Sequence, residues 1–179
     1  MHRKKPNELR IIGGEWRGRR IRFPRQPGIR PTPDRVRETL FNWLAPVVEG
    51  SRCLDLFAGS GALGLEALSR GAAAATFIES DRQSAEQLRE TAVSLAPGRA
   101  VVLEADALKW LEGPAQCFDL AFLDPPFGSG LLTAALRKLD SRGWLSPGAY
   151  VYLELPAKDG APALPTGWTL HRSGKAGAV

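Results

Sequence analysis

From residue 51 onward, short apolar runs alternate with segments of helical periodicity. Strands are predicted over residues 52–57, 74–79, 100–105, 118–123, 149–155 and 168–171. Helices are predicted between them over residues 60–69, 84–95, 108–111 and 131–139. Regular alternation of this kind indicates parallel strands joined by crossover helices. The sequence therefore predicts a doubly wound α/β domain, with a mostly parallel sheet and helices on both of its faces.

The first of these strands leads into a glycine-rich loop. Gly59, Gly61 and Gly64 satisfy the pattern G-x-G-x-x-G, and Glu79 ends the next strand 20 residues beyond Gly59. Glycines between a strand and a helix, followed by an acid on the next strand, are typical of nucleotide binding. In such sites the acid accepts hydrogen bonds from the ribose hydroxyls. The alternative is that the glycines only permit a tight turn.

Acidic residues near this loop indicate which cofactor it holds. Asp55 lies four residues before Gly59, where its carboxylate would repel the pyrophosphate of a dinucleotide. S-adenosylmethionine has no phosphate and carries an ammonium and a sulfonium, so it suits an acid-lined cleft better than NAD. Asp106 ends the third strand, where it is expected to meet an adenine amino group. Glu66 and Asp81 are expected to be ordinary charges on helix surfaces.

The fourth strand is followed by Asp124-Pro125-Pro126-Phe127. Each proline lacks an N–H and has a fixed φ, so the backbone leaves the sheet stiffly and directs carbonyl oxygens outward. Asp124 adds a second acceptor, and Phe127 adds a flat apolar face. Acceptors for an N–H₂ group beside a stacking ring suit chemistry on an exocyclic nucleobase amine. A plain strand-exit turn is the alternative interpretation.

The net charge of +5 is distributed unevenly along the chain. Residues 1–37 hold 12 of the 24 Lys and Arg residues and only three acids, whereas the remaining 142 residues carry a net charge of −4. Residues 9–23 predict a β-hairpin with a turn at Gly13-Gly14, and the alternation Arg20-Ile21-Arg22-Phe23 places arginines on one face. Because Arg binds phosphate oxygens in pairs, this face is expected to bind a polyanion, with nucleic acid favoured.

The rest of the chain predicts an ordinary globular protein of a reducing compartment. Residues 24–33 form a Pro- and Gly-rich connector, and the following helix is expected to be capped by Asp34 and stopped by Pro46. Cys53 and Cys117 are expected to be buried free thiols. No apolar run approaches the ~20 residues of a membrane span, and the N-terminus has no secretory signal, so a cytoplasmic location is expected.

Together, these motifs resemble those of class I S-adenosylmethionine-dependent methyltransferases. The similarity rests on Asp55-Leu56-Phe57-Ala58-Gly59-Ser60-Gly61, on Glu79 and Asp106, and on residues 124–127. The basic N-terminal part is more specific. Its segments Arg10-Ile11-Ile12-Gly13-Gly14, Arg17-Gly18-Arg19, Arg30-Pro31-Thr32, Arg35-Val36-Arg37-Glu38 and Leu40-Phe41-Asn42-Trp43-Leu44 resemble the bacterial RsmD family. The resemblance covers nearly the whole chain.

The resemblance implies a Rossmann-like, seven-stranded methyltransferase sheet with a small N-terminal β-hairpin extension. We expect the hairpin and connector to occupy residues 1–33 and the methyltransferase domain to occupy residues 34–179. The last, antiparallel strand of the family usually follows a turn with a basic residue and Ala-Gly. Here residues 174–179 begin that strand and the chain stops, which leaves the edge of the sheet and its stability open.

The implied activity is methyl transfer to the N2 of a guanine in 16S ribosomal RNA, guanine 966 in the usual rRNA numbering. The expected catalytic residues are Asp124, Pro125, Pro126 and Phe127. The expected cofactor-binding residues are Asp55, Phe57, Gly59, Gly61, Glu79, Asp106 and Ala107. The expected RNA-binding residues are Arg10, Arg17, Arg19, Arg20, Arg22 and Arg25, together with Arg30, Arg35 and Arg37, which are placed nearer the cofactor.

Three other functions remain open from the sequence. The acid-proline-proline-aromatic motif also suits methyl transfer to adenine N6 or cytosine N4 in DNA, or to a protein glutamine, although no sizeable target-recognition region of a DNA enzyme is visible. A non-catalytic RNA-binding assembly factor and an NAD-dependent oxidoreductase are the other two. We expect a monomer that acts without a metal or a membrane on 16S rRNA, within a partly or fully assembled small subunit.

Overall fold

The structure, a computed structural model, describes residues 7–24 and 31–176 of the 179-residue chain. Its elements in chain order are β1 (Asn7–Arg10), β2 (Arg20–Phe23), α1 (Asp34–Val48), β3 (Arg52–Asp55), α2 (Ala62–Ser69), β4 (Ala74–Glu79), α3 (Arg82–Leu95), β5 (Ala100–Glu104), α4 (Ala107–Trp110), β6 (Phe118–Leu123), α5 (Leu131–Ser141) and β7 (Leu145–Leu153). No helix in these ranges is both long and apolar enough to cross a membrane.

The five strands from β3 onward form one parallel sheet in the order β5-β4-β3-β6-β7. Because side chains alternate across a strand, the sheet supplies two cores. Cys53 faces a cluster that includes residues of α1, α2 and α3, whereas the neighbouring Leu54 faces a cluster that includes residues of α4 and α5. This is the doubly wound α/β architecture that the alternation predicted, and the prediction is confirmed.

The sheet is narrower in the described residues than the seven strands expected. Residues 168–171 form no strand, and neither do residues 174–176. Instead, the Trp168 indole N–H donates to Asp140 of α5 at 2.9 Å, and the Trp168 backbone N–H bonds the Pro165 carbonyl in a turn. Trp168 therefore lies against a helix, so it is not paired at the sheet edge. Residues 177–179 lie outside the described residues.

The predicted N-terminal hairpin is present as the antiparallel pair β1–β2. Ile21 and Phe23 are buried, whereas the side chains of Arg20 and Arg22 are 74% and 72% exposed. Ile21 and Phe23 belong to the same apolar cluster as residues of α1, α2 and α3. The hairpin therefore rests on the main core through one face and presents arginines on the other. The domain boundary at residue 33 stays a prediction.

The loop between β1 and β2 covers helix α2, all eight residues of which are buried. At its centre the fully buried Glu66 accepts the backbone N–H groups of Ile12 and Gly13 at 2.9 and 2.8 Å. The same carboxylate pairs with Arg37 at 3.4 Å and with Arg70 at 2.8 Å. The expectation that Glu66 is a surface charge is therefore wrong, because the hairpin loop covers the helix face that the sequence left unassigned.

Two details of helix α1 differ from prediction. The helix begins at Asp34 with Pro33 as its N-cap residue, and no side-chain hydrogen bond caps it, so Asp34 is its first residue rather than its cap. Pro46 lies inside the helix, which ends at Val48. A proline so close to the end removes a single donor, and Val48 remains buried in the core.

The two cysteines have different environments. Cys53 is buried as expected, and burial raises the pKa of its thiol to about 12. Cys117 is exposed, which contradicts the prediction. It precedes β6 by one residue, at the end where the chain enters the sheet, so the strand does not cover it.

Candidate active site

An acid stands at the carboxyl end of each of the five parallel strands. Asp55 and Glu79 end β3 and β4, and Asp106 follows β5 by two residues. Asp124 and Glu154 follow β6 and β7 directly. Open α/β sheets bind ligands at this edge. In the described part of the chain, no group of three or more His, Cys, Asp or Glu residues is placed to hold a metal ion.

The glycine loop places the N-terminus of α2 against the end of β3. Gly61 has φ +75°, in the left-handed region that favours glycine, and it precedes the first residue of the helix. The Gly64 N–H donates to the Asp55 carboxylate at 3.0 Å. A Cβ on Gly64 would lie 2.2 Å from the Phe77 ring of β4, so this glycine lets the helix approach the sheet closely. The third glycine of the pattern therefore has a packing role.

Asp55 is buried among other acids. Burial raises the pKa of its carboxyl to about 8, the Gly64 hydrogen bond opposes that rise, and the nearby charges of Asp124 and Glu79 add to it. Among residues 7–24 and 31–176, no basic side chain pairs with this carboxylate. A ligand that brings positive charge to this edge would relieve the cost of ionising Asp55.

Glu79 is held by two backbone N–H groups, from Gly59 at 2.7 Å and from Asp81 at 2.7 Å. Its carboxylate is thereby fixed beside the glycine loop, with lone pairs left for hydroxyl donors. Asp81 was expected to be an ordinary surface charge; it is the N-cap of α3, where its carboxylate accepts the Ser84 N–H at 2.7 Å.

Asp106 is the N-cap of α4 and accepts the Lys109 N–H at 2.9 Å through one oxygen. Within the described ranges its other oxygen accepts no hydrogen bond. Ala107 follows as the buried first residue of α4, and Phe57 is half-buried against the same apolar cluster. The acids and glycines expected to bind a cofactor therefore lie at one edge of the sheet, with these two apolar residues beside them.

The segment after β6 leaves the sheet as a loop. Asp124 is half-buried and Pro125 is buried, whereas Pro126 is exposed and Phe127 is 52% exposed. The Ser129 hydroxyl donates to the Pro126 carbonyl at 2.6 Å and holds the loop closed. An aromatic ring of which half is exposed, next to a half-buried acid, suits contact with a planar ligand.

The acid that follows β7 was not predicted as a site residue. The Glu154 backbone N–H donates to the Leu123 carbonyl at 3.0 Å, which sets Glu154 beside Asp124 across neighbouring strands. Burial and the Glu154 charge raise the pKa of Asp124 to about 7. The signal was available in the sequence, since Glu154 lies near the carboxyl end of a predicted strand, as Asp55 and Glu79 do.

Glu154 is joined to the N-terminal connector. Its carboxylate accepts the Thr32 hydroxyl at 2.9 Å and the Tyr152 hydroxyl at 3.2 Å. It also lines a cleft of about 210 Å³ between the loop at residues 125–130 and the loop at residues 154–162. Phe127 lines the same cleft. The cleft therefore combines an aromatic face with a nearly buried carboxylate.

The expected RNA-binding arginines fall into three groups. Six are exposed: Arg10, Arg17, Arg19, Arg20, Arg22 and Arg35. Arg37 is 1% exposed and donates to the carbonyls of Thr32 and Arg10, so its assignment to RNA is wrong. Its guanidinium is needed inside the protein because it faces the buried Glu66. Arg25 and Arg30 lie outside the described residues.

Comparisons with known proteins agree with this architecture. The family described as Conserved hypothetical protein 95 matches residues 9–179. The chain is 50% identical to the Ribosomal RNA small subunit methyltransferase D of Escherichia coli K12, over 98% of this chain and 91% of that protein. It is 45% identical to the protein of the same name from Haemophilus influenzae, over 96% and 91% of the two chains.

Solved structures give the same result. The E. coli protein yhhF, described as a methyltransferase, superposes with a TM-score of 0.90 at 48% identity, covering 96% of this chain and 94% of that chain. The H. influenzae methylase HI0767 superposes with a TM-score of 0.81 at 43% identity, with the same coverage. On its fold, its glycine loop and this similarity, the chain belongs to the RsmD family of class I S-adenosylmethionine-dependent methyltransferases.

Proposed function

We propose that this methyltransferase transfers a methyl group from S-adenosylmethionine to the N2 amine of a guanine in small-subunit ribosomal RNA, guanine 966 in the usual numbering. The observation that carries the proposal is that the half-buried Asp124 and the half-exposed Phe127 stand in one short loop, at the sheet edge that also holds the glycine loop. The 50% identical E. coli relative is named for methylation of small-subunit ribosomal RNA. We assign the reaction to the cytoplasm.

The residues at the sheet edge fit the cofactor. In the described part of the chain Asp55 is buried without a basic partner, and burial among other acids raises the pKa of its carboxyl, which supports a cationic ligand at this position. Glu79 has a fixed carboxylate for ribose hydroxyls, and Asp106 has an oxygen for an adenine amine. Gly59 and Gly61 leave the loop open to close approach. Phe57 and Ala107 supply apolar contact for the adenine.

When bound, S-adenosylmethionine supplies a methyl group activated by its sulfonium. The N2 of guanine is a weak nucleophile, since its lone pair is delocalised into the ring. Asp124 and the carbonyl of Pro125 accept hydrogen bonds from the two N–H groups of the amine and so orient the lone pair of N2. Phe127 stacks on the base. As the new C–N bond forms, the bond between the methyl group and sulfur breaks and positive charge moves to N2, where the Asp124 carboxylate stabilises it; the amine then loses one proton to Asp124 or to water.

Recognition of RNA is assigned to the exposed face of the hairpin. Arg17 and Arg19 have no recorded acidic partner in the described part of the chain, whereas Glu8 lies within 3.5 Å of both Arg20 and Arg22. Phosphates bound to this face would pair with the guanidinium groups of Arg17 and Arg19. They would compete with Glu8 for those of Arg20 and Arg22. We propose that the substrate is RNA in a partly or fully assembled small subunit, and that the enzyme is a monomer.

The test is transfer of a tritiated methyl group to undermethylated small subunits, to protein-free small-subunit RNA and to duplex DNA. We expect label in the RNA or the subunit, recovered as N2-methylguanine. Label in DNA alone would replace the proposal with an adenine or cytosine enzyme. Absence of label in every substrate, together with measurable RNA binding, would favour a non-catalytic assembly factor.

A matched pair of variants tests the role of Asp124. Asp124→Ala is expected to abolish transfer while the enzyme still binds S-adenosylmethionine in calorimetry. Glu38→Ala removes an exposed acid of α1 and is expected to leave both unchanged. Retained transfer by Asp124→Ala would overturn the catalytic assignment.

A further inference from the structure

Glu154 occupies a position that the reaction described above does not use. It follows β7 and lies beside Asp124, held there by its backbone N–H bond to Leu123 at 3.0 Å. The residue is 6% exposed, and what remains accessible lines the cleft that also contains Pro125 and Phe127. A nearly buried carboxylate at the wall of a base-sized cleft needs hydrogen-bond donors.

Among the described residues, only one of its two oxygens has hydrogen-bond donors. Oε2 accepts both the Thr32 and the Tyr152 hydroxyls, at 2.9 and 3.2 Å. Oε1 has no donor among residues 7–24 and 31–176. Burial raises the pKa of Glu154, and the two hydroxyl bonds oppose that rise by stabilising the charged form. The hydroxyls therefore fix the carboxylate in place and leave one acceptor for a ligand in the cleft.

The three bases that carry an exocyclic amine differ at the ring position next to that amine. Guanine carries an N–H at N1 beside its N2 amine, so it presents two adjacent donors. Adenine and cytosine carry an unprotonated ring nitrogen beside their amines, which would face a carboxylate acceptor with another acceptor. Two adjacent acids, Asp124 and Glu154, match the donor pair of guanine alone among bases with an exocyclic amine.

We propose that Glu154 is the residue that selects guanine, its Oε1 accepting the N1–H while Asp124 accepts the N2 amine. This inference rests on the proposed function, since it assigns specificity within the same cleft. A cleft of about 210 Å³ has room for one base and not for a base pair, so we expect the guanine to be extruded from its neighbours. Thr32 and Tyr152 act as positioning residues, because they hold the carboxylate without touching the base.

Glu154→Gln is the discriminating variant. The amide oxygen can still accept both hydroxyls, so only the atom that faces the cleft changes, from an acceptor to an N–H donor. The substrates are small-subunit RNAs assembled by ligation, with guanosine or 2-aminopurine riboside at the target position. Both carry the N2 amine, but 2-aminopurine has an unprotonated N1. Transfer is measured as kcat/KM for each substrate.

The wild-type enzyme is expected to prefer guanine by about 100-fold, the usual effect of one hydrogen bond to a charged group. In Glu154→Gln the preference is expected to fall to a few-fold or to reverse. Glu90→Gln alters an exposed acid of α3 and is expected to keep the wild-type ratio. The guanine preference of the wild-type enzyme divided by that of the variant isolates the contact between Glu154 and N1. A general loss of folded enzyme lowers kcat/KM for both substrates together and leaves this quotient unchanged.

A second variant guards against misfolding of the first. Glu154→Asp withdraws the carboxylate by one methylene, so transfer to guanine should fall while 2-aminopurine is still rejected. An unchanged preference in a folded Glu154→Gln enzyme would overturn the inference and leave the proposed function standing. If the wild-type enzyme fails to label guanine N2 at all, the proposed function fails instead.

Discussion

Glu66 offers the sharpest test of how the hairpin is held to the domain. Its carboxylate accepts two loop N–H groups and two guanidinium groups, and its exposed fraction is 0%. In Glu66→Gln, one oxygen becomes an N–H₂ group that faces a backbone N–H and a guanidinium. The buried Arg37 loses the charge of its buried partner and keeps only the half-exposed Asp34, at 2.6 Å, as an anionic partner in the described residues, and one loop N–H loses its acceptor.

The magnitude follows from those losses. Breaking a buried ion pair by removing one partner costs about 3–5 kcal/mol, and an orphaned buried N–H costs about 1–3 kcal/mol. The two costs overlap, because the side chain can relax toward one set of partners. We therefore expect the free energy of unfolding to fall by about 4 kcal/mol, which lowers Tm by about 8–16 °C in a domain of this size.

The assay is urea unfolding followed by tryptophan fluorescence, with Glu90→Gln as the exposed-acid control. The control is expected to stay within about 0.5 kcal/mol of wild type. Tryptic cleavage after Arg17 and Arg19 supplies a second readout, since a loosened loop should be cut faster under native conditions. A Glu66→Gln protein within about 1 kcal/mol of wild type, cut at the wild-type rate, would refute the reasoning.

Three further predictions concern packing, titration and charge. Gly64→Ala is expected to cost about 1–3 kcal/mol in urea unfolding, because the new methyl group overlaps the Phe77 ring; unchanged stability would contradict this packing. The raised pKa of Asp55 means that the folded state holds a proton that the unfolded state releases near pH 4, so stability falls as pH rises from 4 to 8, by up to about 1.4 kcal/mol per pH unit. In Asp55→Asn this component should vanish from a pH series of unfolding midpoints, and an unaltered slope would count against it. Replacing Arg20 and Arg22 by Ala should make the slope of log Kobs for RNA binding against log salt concentration shallower by roughly 0.7–0.9 per arginine. An unchanged slope would show that these arginines do not contact the RNA.

Local patterns in the sequence were sufficient for most of the fold. Strands β4 and β6 have the predicted bounds, because an apolar run between turn residues has few other stable forms. The hairpin was also recognisable, since Arg20-Ile21-Arg22-Phe23 alternates with a period of two and the structure buries every second side chain. In both cases the information lies within a few residues of the element it describes.

The errors and omissions involve contacts between distant residues. Arg37 lies on a helix next to exposed residues, and only the meeting of α1 with α2 across 29 positions shows that it is buried. Glu66 was misassigned for the same reason, since the loop that covers it is 53 and 54 positions away. No periodicity within α1 or α2 reports on a partner that arrives from another part of the chain.

The candidate site divides in the same way. The glycine loop and the residues after β6 form motifs of consecutive residues, so they could be recognised as sequence patterns. Glu154 is a single acid after a strand, and its meaning depends on Thr32 and on neighbouring Asp124. The proposed specificity of the cleft therefore depends on tertiary structure, whereas the proposed chemistry rests on short sequence motifs.

The hydrogen bond between Thr32 and Glu154 has a consequence for folding during synthesis on the ribosome. The two residues are 122 positions apart, and ribosomes extend a chain by about 5–20 residues per second. Thr32 therefore waits about 6 to 24 s for its partner to be synthesised. During that interval the nascent chain already has its basic hairpin sequence but lacks one wall of its cleft. The arginines of the hairpin are therefore synthesised well before the acid that we propose to select the base.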